Sequence, residues 1–142
     1  MITDLRITLA KFNAVVVSVL FLGSVATVHA AEIKLSGAEE VPAVQTAAFG
    51  KGNIVVAADK SVSGSVTTTG IVGTMAHIHI GARGKAGPVA IPLSKSADNV
   101  WNVPSGAKLT SAQYKSYKTG DLYVNVHSVA YKEGEIRGQI KP

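Results

Sequence analysis

Period-two alternation, broken every few residues by turn chemistry, most limits what this chain can fold into. In an extended strand successive side chains point to opposite faces. Ala76-His77-Ile78-His79-Ile80 alternates strictly, and so do Glu32-Ile33-Lys34-Leu35-Ser36 and Leu122-Tyr123-Val124-Asn125-Val126-His127. The β-branched run from Gly52 to Ala58 stops at the turn cluster Asp59-Lys60-Ser61, and Val62 to Thr69 follows at once. These two runs predict a hairpin. Val89 to Leu93, Val100 to Val103 and Glu135 to Ile140 bring the count to seven or eight short strands, and Gly81 to Pro88 is a glycine-rich loop. Helical chemistry is confined to one place. Thr110 stands three residues before Gln113 as a capping box, and Leu109 and Tyr114 sit where a hydrophobic staple would form. Lys115, Lys118 and Gly120 suit the C-terminal end, and Tyr114 and Tyr117 are expected to face the sheet. The expected fold is all-β: an antiparallel β-sandwich, immunoglobulin-like or a superoxide-dismutase-like Greek key, with one short helix.

The first 30 residues follow a different logic. Arg6 and Lys11 give a positive start, Ala14 to Leu22 is apolar, and Val28-His29-Ala30 places small residues at the positions a signal peptidase reads. The strongly apolar part is far shorter than the roughly 20 residues that span a bilayer. Residues 1–30 are therefore read as a signal peptide cut after Ala30, with an uncleaved anchor as the alternative. Residues 31–142 then form one domain of 112 residues, periplasmic or secreted, with no stable membrane span after cleavage.

The whole chain carries a formal +5, and removing Arg6, Lys11 and Asp4 leaves the domain near +4. The lysines are scattered, without a basic run or a basic helix face. A nucleic-acid partner is not expected. There is no cysteine. That excludes disulfides, thiolate metal sites and cysteine nucleophiles, and leaves imidazole as the main ligand for a soft or borderline metal. No serine sits in a nucleophile elbow, and Gly81 to Gly87 lacks the Gly-Lys-Ser/Thr ending of a phosphate loop. The motifs lean away from an enzyme.

His77 and His79 share one strand face, about 7 Å apart at their bases. His127 lies on a later strand whose polar face also carries Tyr123 and Asn125. If the two strands meet, three imidazoles converge, a set that suits copper or, less well, zinc, with a position left open. The competing reading is three half-buried histidines that only make hydrogen bonds. Glu135, Arg137 and Gln139 share a strand face opposite Ile136 and Ile140. Arg137 is expected to pair with Glu40 or Glu135, to hold an anion, or to organise a polar sheet edge. Glu40, Asn125, Glu135 and Arg137 are the candidate hydrogen-bonding partners around the histidines.

Six segments taken together resemble the CHRD (chordin-type) domain, in its bacterial exported single-domain form. They are Leu35 to Pro42, Ala76 to His79, Gly87 to Val89, Leu109 to Gln113, Leu122 to His127 and Gly134 to Gln139, in the family's order and across nearly the whole domain. Ala43 stands where the family often has a second proline. The resemblance implies a β-sandwich and says little about activity. The H-x-H strand with a distant Val-His is also similar to the copper-ligand layout of copper/zinc superoxide dismutase. Here, however, there is no disulfide, no evident bridging histidine and no matching zinc loop. The leading expectation is an exported domain that holds copper, or zinc, at His77, His79 and His127 for buffering or carriage. The alternatives are an interaction module for an exported protein or a surface polymer, and a minimal dismutase-like redox enzyme.

Overall fold

The computed structural model describes residues 31–142; the expected leader lies outside the described residues. No helix among the described residues is long and apolar enough to cross a membrane. Strands β1 (Glu32–Ser36), β2 (Phe49–Val56) and β3 (Val62–Thr69) form an antiparallel meander, with Val56 opposite Val62 at the hairpin. The turn forms for the expected reason. The Asp59 carboxylate accepts from the Ser61 N–H at 3.0 Å and the Ser61 hydroxyl at 2.6 Å, while Lys60 takes a left-handed φ of 71°.

After β3 come β4 (Gly73–Ile80), β5 (Val89–Pro92), β6 (Ser94–Ala97) and β7 (Val100–Asn102). Helix α1 (Ser111–Lys118) follows, then β8 (Leu122–Ser128) and β9 (Ile136–Ile140). The helix starts where the capping box predicts. Thr110 accepts from the Gln113 N–H at 3.2 Å, and the Gln113 side chain accepts from the Thr110 N–H at 2.7 Å. Leu109 is buried, and Tyr114 and Tyr117 pack against the core.

The strands are all-β and antiparallel, as expected, but the hydrogen bonding does not divide them into two sheets. One sheet runs in the order β5-β4-β8-β9-β1-β2-β3-β7-β6. Its two edge strands are consecutive in the chain, separated only by Leu93, whose N–H donates to the Ala76 carbonyl at 2.9 Å. The segment Val89 to Ala97 therefore belongs to both edges, and the sheet curls round until it nearly closes. Pro92 sits at this changeover, where a missing N–H is tolerated. Near-closure also protects the edges that an open sheet would expose. Strand β6 escaped the sequence reading because Ser94–Ala97 has no buried side.

The enclosed core is apolar. Leu35, Val66, Ile78, Leu122, Val124, Val126, Ile136 and Ile140 are essentially inaccessible, and Trp101 packs among them. At the usual value of about 25 cal/mol per Å² of buried apolar surface, this single core is the main stabilising term of a domain without disulfides.

Candidate metal centre

Strand β8 is where the fold departs from a simple one-sided sheet. All seven of its residues are buried. Leu122, Val124 and Val126 enter the apolar core, while Tyr123, Asn125 and His127 stand on the outer face beneath a second, polar layer. That layer is built by the loop from Gly81 to Pro88. The Arg137 guanidinium donates to the Lys85 carbonyl at 2.9 Å and the Ala82 carbonyl at 3.0 Å. It lies 3.4 Å from the centre of the Tyr123 ring. Gln139 donates to the carbonyls of Gly81 and Gly120, both at 2.8 Å, and the Gly87 N–H donates to the Tyr123 hydroxyl at 3.2 Å. A loop held by its carbonyls needs donors beneath it, and Arg137 and Gln139 supply them.

The histidines meet on this face. In the β4–β8 ladder Met75 lies opposite His127, His77 opposite Asn125, and His79 opposite Tyr123. His77 and His127 are thus diagonal neighbours, within reach across the pair. Their Nδ1 and Nε2 atoms are 3.0 Å apart. His79 stacks on Tyr123 with ring centres 4.9 Å apart and an interplanar angle of 9°. One nitrogen from each of the three rings lies within 4.8 Å of the others.

Backbone carbonyls fix the tautomers. His79 Nδ1 is 2.9 Å from the Gly87 oxygen and His127 Nδ1 is 2.8 Å from the Lys132 oxygen. A carbonyl can only accept, so both rings carry the proton on Nδ1 and present a lone pair at Nε2. His77 is then the donor to His127, through Nδ1–H. Moving that proton to Nε2 of His77 turns its Nδ1 into a third lone pair facing the same space. Burial lowers the pKa of both His77 and His79, with the neighbouring imidazole His127 adding to the effect. At His79 the hydrogen bond to Gly87 works in the opposite direction. His77 and His79 are therefore neutral near pH 7, the state a metal needs.

Gly87 has a steric reason to be glycine. A Cβ there would collide with the Ile80 carbonyl, and the loop could not bring its own carbonyl to His79. Gly134 has another. It adopts φ 136°, and a Cβ would strike the Asn125 amide and both carboxylate oxygens of Glu40.

The other predicted residues make no hydrogen bond to the imidazoles, although Asn125 faces His77 across the ladder and the Arg137 charge adds to the lowering of the His79 pKa. Glu40 accepts from the Asn125 amide at 2.6 Å, and its pKa is raised to about 7. Burial is the main cause, opposed by the Arg137 charge and the hydrogen bonds from Asn125 and the Val41 N–H. Glu135 accepts from the Thr46 hydroxyl at 2.7 Å. The expected pairing of Arg137 with Glu40 or Glu135 does not form; its partners are loop carbonyls, and none of the ion pairs among the described residues includes it. Carboxylates were the expected support for the histidines, and backbone oxygens of Gly87 and Lys132 take that place. Sequence carries no signal for these, because any residue has a carbonyl. Met75 does carry one: it lies two residues before His77 on the same period-two face.

A model of the CHRD domain matches residues 31–140. No curated protein and no solved structure matches the chain.

Proposed function

The chain belongs to the CHRD domain family, and from that premise we propose that this member is an exported, periplasmic or secreted domain that holds copper, or less readily zinc, through His77, His79 and His127 for buffering or carriage. One observation carries the proposal: three imidazoles from two strands bring ring nitrogens together, all within 4.8 Å of one another. In a tetrahedral site with bonds near 2.0–2.1 Å, two ligand nitrogens stand about 3.3 Å apart. The His77–His127 separation of 3.0 Å is already close to that. His79 Nε2 supports the fit independently. It is a buried acceptor with no donor, an arrangement that costs about 1–3 kcal/mol and that a cation would relieve. A bound copper or zinc ion would supply Lewis acidity. The protein's part is to keep His77 and His79 neutral and to hold His79 and His127 by their Nδ1–H groups. Export rests on residues 1–30, and the absence of thiols throughout the chain makes imidazole the natural ligand in that compartment.

Titration of the protein with copper(II), copper(I) and zinc, beside the double variant His77→Ala/His79→Ala, tests the reading. Tight uptake by the native protein alone is expected; equal and weak uptake by both sinks it. A second reading, an interaction module for another exported protein, draws on Val72 and Val129. These valines are largely exposed on neighbouring loops at one end of the sheet. Failure of a Val72→Asp/Val129→Asp variant to alter recovery of any partner from periplasmic extract would remove it.

A further inference from the structure

The three histidines are not the last donors on this face. Outward positions of β4 run Met75, His77, His79, and Met75 stands directly opposite His127 in the ladder. Directly opposed residues have Cβ atoms about 4.5–5.5 Å apart, and residues two apart on one strand about 7 Å. The Met75 side chain therefore starts beside one of the three imidazoles and next in line to another. It is also 50 % exposed, unlike the core residues that alternate with it on β4, so close packing does not hold it elsewhere. A methionine chain is flexible and unbranched, and can carry its sulfur across such a gap. The chain has no cysteine and two methionines, Met1 and Met75. Met75 is therefore the one sulfur donor in the domain.

We propose that Met75 is a fourth ligand, whose thioether adapts the three-imidazole site to copper(I). This rests on the reading of His77, His79 and His127 as a metal site, and adds the oxidation state that the site prefers. The chemistry is that of ligand softness: a thioether strengthens binding of copper(I) and does little for zinc, which these imidazoles hold without it. Occupation of the fourth position by sulfur also makes the site one for storage or transfer of the ion rather than one with a standing vacancy for substrate.

Met75→Leu conserves volume at a half-exposed position and leaves the fold intact. In the full chain, copper(I) affinity measured against a competing chelator should fall at least about tenfold in Met75→Leu, while zinc affinity should change less than about threefold. X-ray absorption at the copper edge should show a copper–sulfur scattering path in the native protein and lose it in the variant. Unchanged copper(I) affinity in Met75→Leu, with nitrogen scatterers alone in the native protein, overturns the role of Met75 and leaves the histidine site standing. Parallel losses of zinc and copper(I) affinity also overturn it, since a structural role would weaken both. A native protein that takes up neither metal overturns both readings together.

Discussion

The two faces of β8 are equally buried and are held by different physics. On the inner face Leu122, Val124 and Val126 meet other aliphatic side chains, and the interaction is non-directional. On the outer face Tyr123, Asn125 and His127 meet a loop, a guanidinium, a carboxylate and two more imidazoles, and every contact depends on angle and proton position. The inner face makes the domain stable. The outer face makes one arrangement of side chains unique, and it leaves His79 Nε2 and Asn125 Oδ1 buried without partners. On the core side the one buried polar atom without a partner among the described residues is the Trp101 indole nitrogen, a donor that no lone-pair ligand faces. The proposed site falls on the polar layer for that reason, and the seven residues of one strand serve both faces.

The largest effect should come from the inner face. Leu122→Ala removes a wholly buried side chain and should cost about 2–5 kcal/mol in denaturant unfolding, with the depth of the loss set by how far the core relaxes. A cost below about 1 kcal/mol would break the division between the faces.

Arg137→Leu tests whether the polar layer is tied down as described. Arg137 is 2 % exposed, and its removal strands the Lys85 carbonyl and leaves the Ala82 carbonyl with the Lys85 N–H alone. The expected loss is about 2–3 kcal/mol. Amide exchange should rise through Gly81 to Gly87 before it rises in the core. Uniform exchange across the domain would contradict a loop anchored mainly by Arg137.

Glu40 gives the layer a pH dependence. Its folded pKa, raised to about 7 from 4.5, means that the folded protein holds the proton more tightly than the unfolded chain. Its contribution is fully present below pH 4.5 and is lost as pH rises through 7. His77 and His79 act in the other direction: their folded pKa values are lowered from 6.5, so their contribution is present above 6.5 and is lost as pH falls. The two slopes overlap, so the readout is the difference between native protein and Glu40→Gln. Between pH 4.5 and 7 the native protein should lose about 1–2 kcal/mol relative to the variant. Parallel pH profiles would show that Glu40 holds its proton no more tightly in the folded protein than in the unfolded chain.

The smallest effect on folding should come from a histidine. His77 is only half-buried, and His77→Ala removes one hydrogen bond to His127. Stability without metal should change by about 1 kcal/mol or less. Metal uptake should nonetheless collapse, and that split separates a ligand from a packing residue.

Much of this was legible in the sequence, and the limits are physical. The Asp59 hairpin, the Thr110 capping box and the two faces of β8 depend on residues a few positions apart, where side-chain chemistry and backbone period suffice. The grouping of His77 and His79 follows from alternation alone, and His127 joins them because β4 pairs with β8 in one register. The closure of the sheet was not legible, because it depends on Leu93 passing between edges whose pairings are set by distant strands. The contact of Glu40 with Asn125 spans 85 positions of sequence. The carbonyls that orient His79 and His127 belong to residues whose side chains play no part. Arg137 was recognisable as important, but its partners are backbone atoms of a loop that only the folded chain brings overhead.

The account stands or falls on what the outer face of β8 holds. The direct measurement is metal content per chain after equilibration with copper and with zinc, for the native protein and for His79→Ala/His127→Ala. One ion per native chain, and close to none in the variant, is the result expected. Equal metal content in the two proteins would contradict a three-histidine centre and return these imidazoles to the hydrogen-bonding layer.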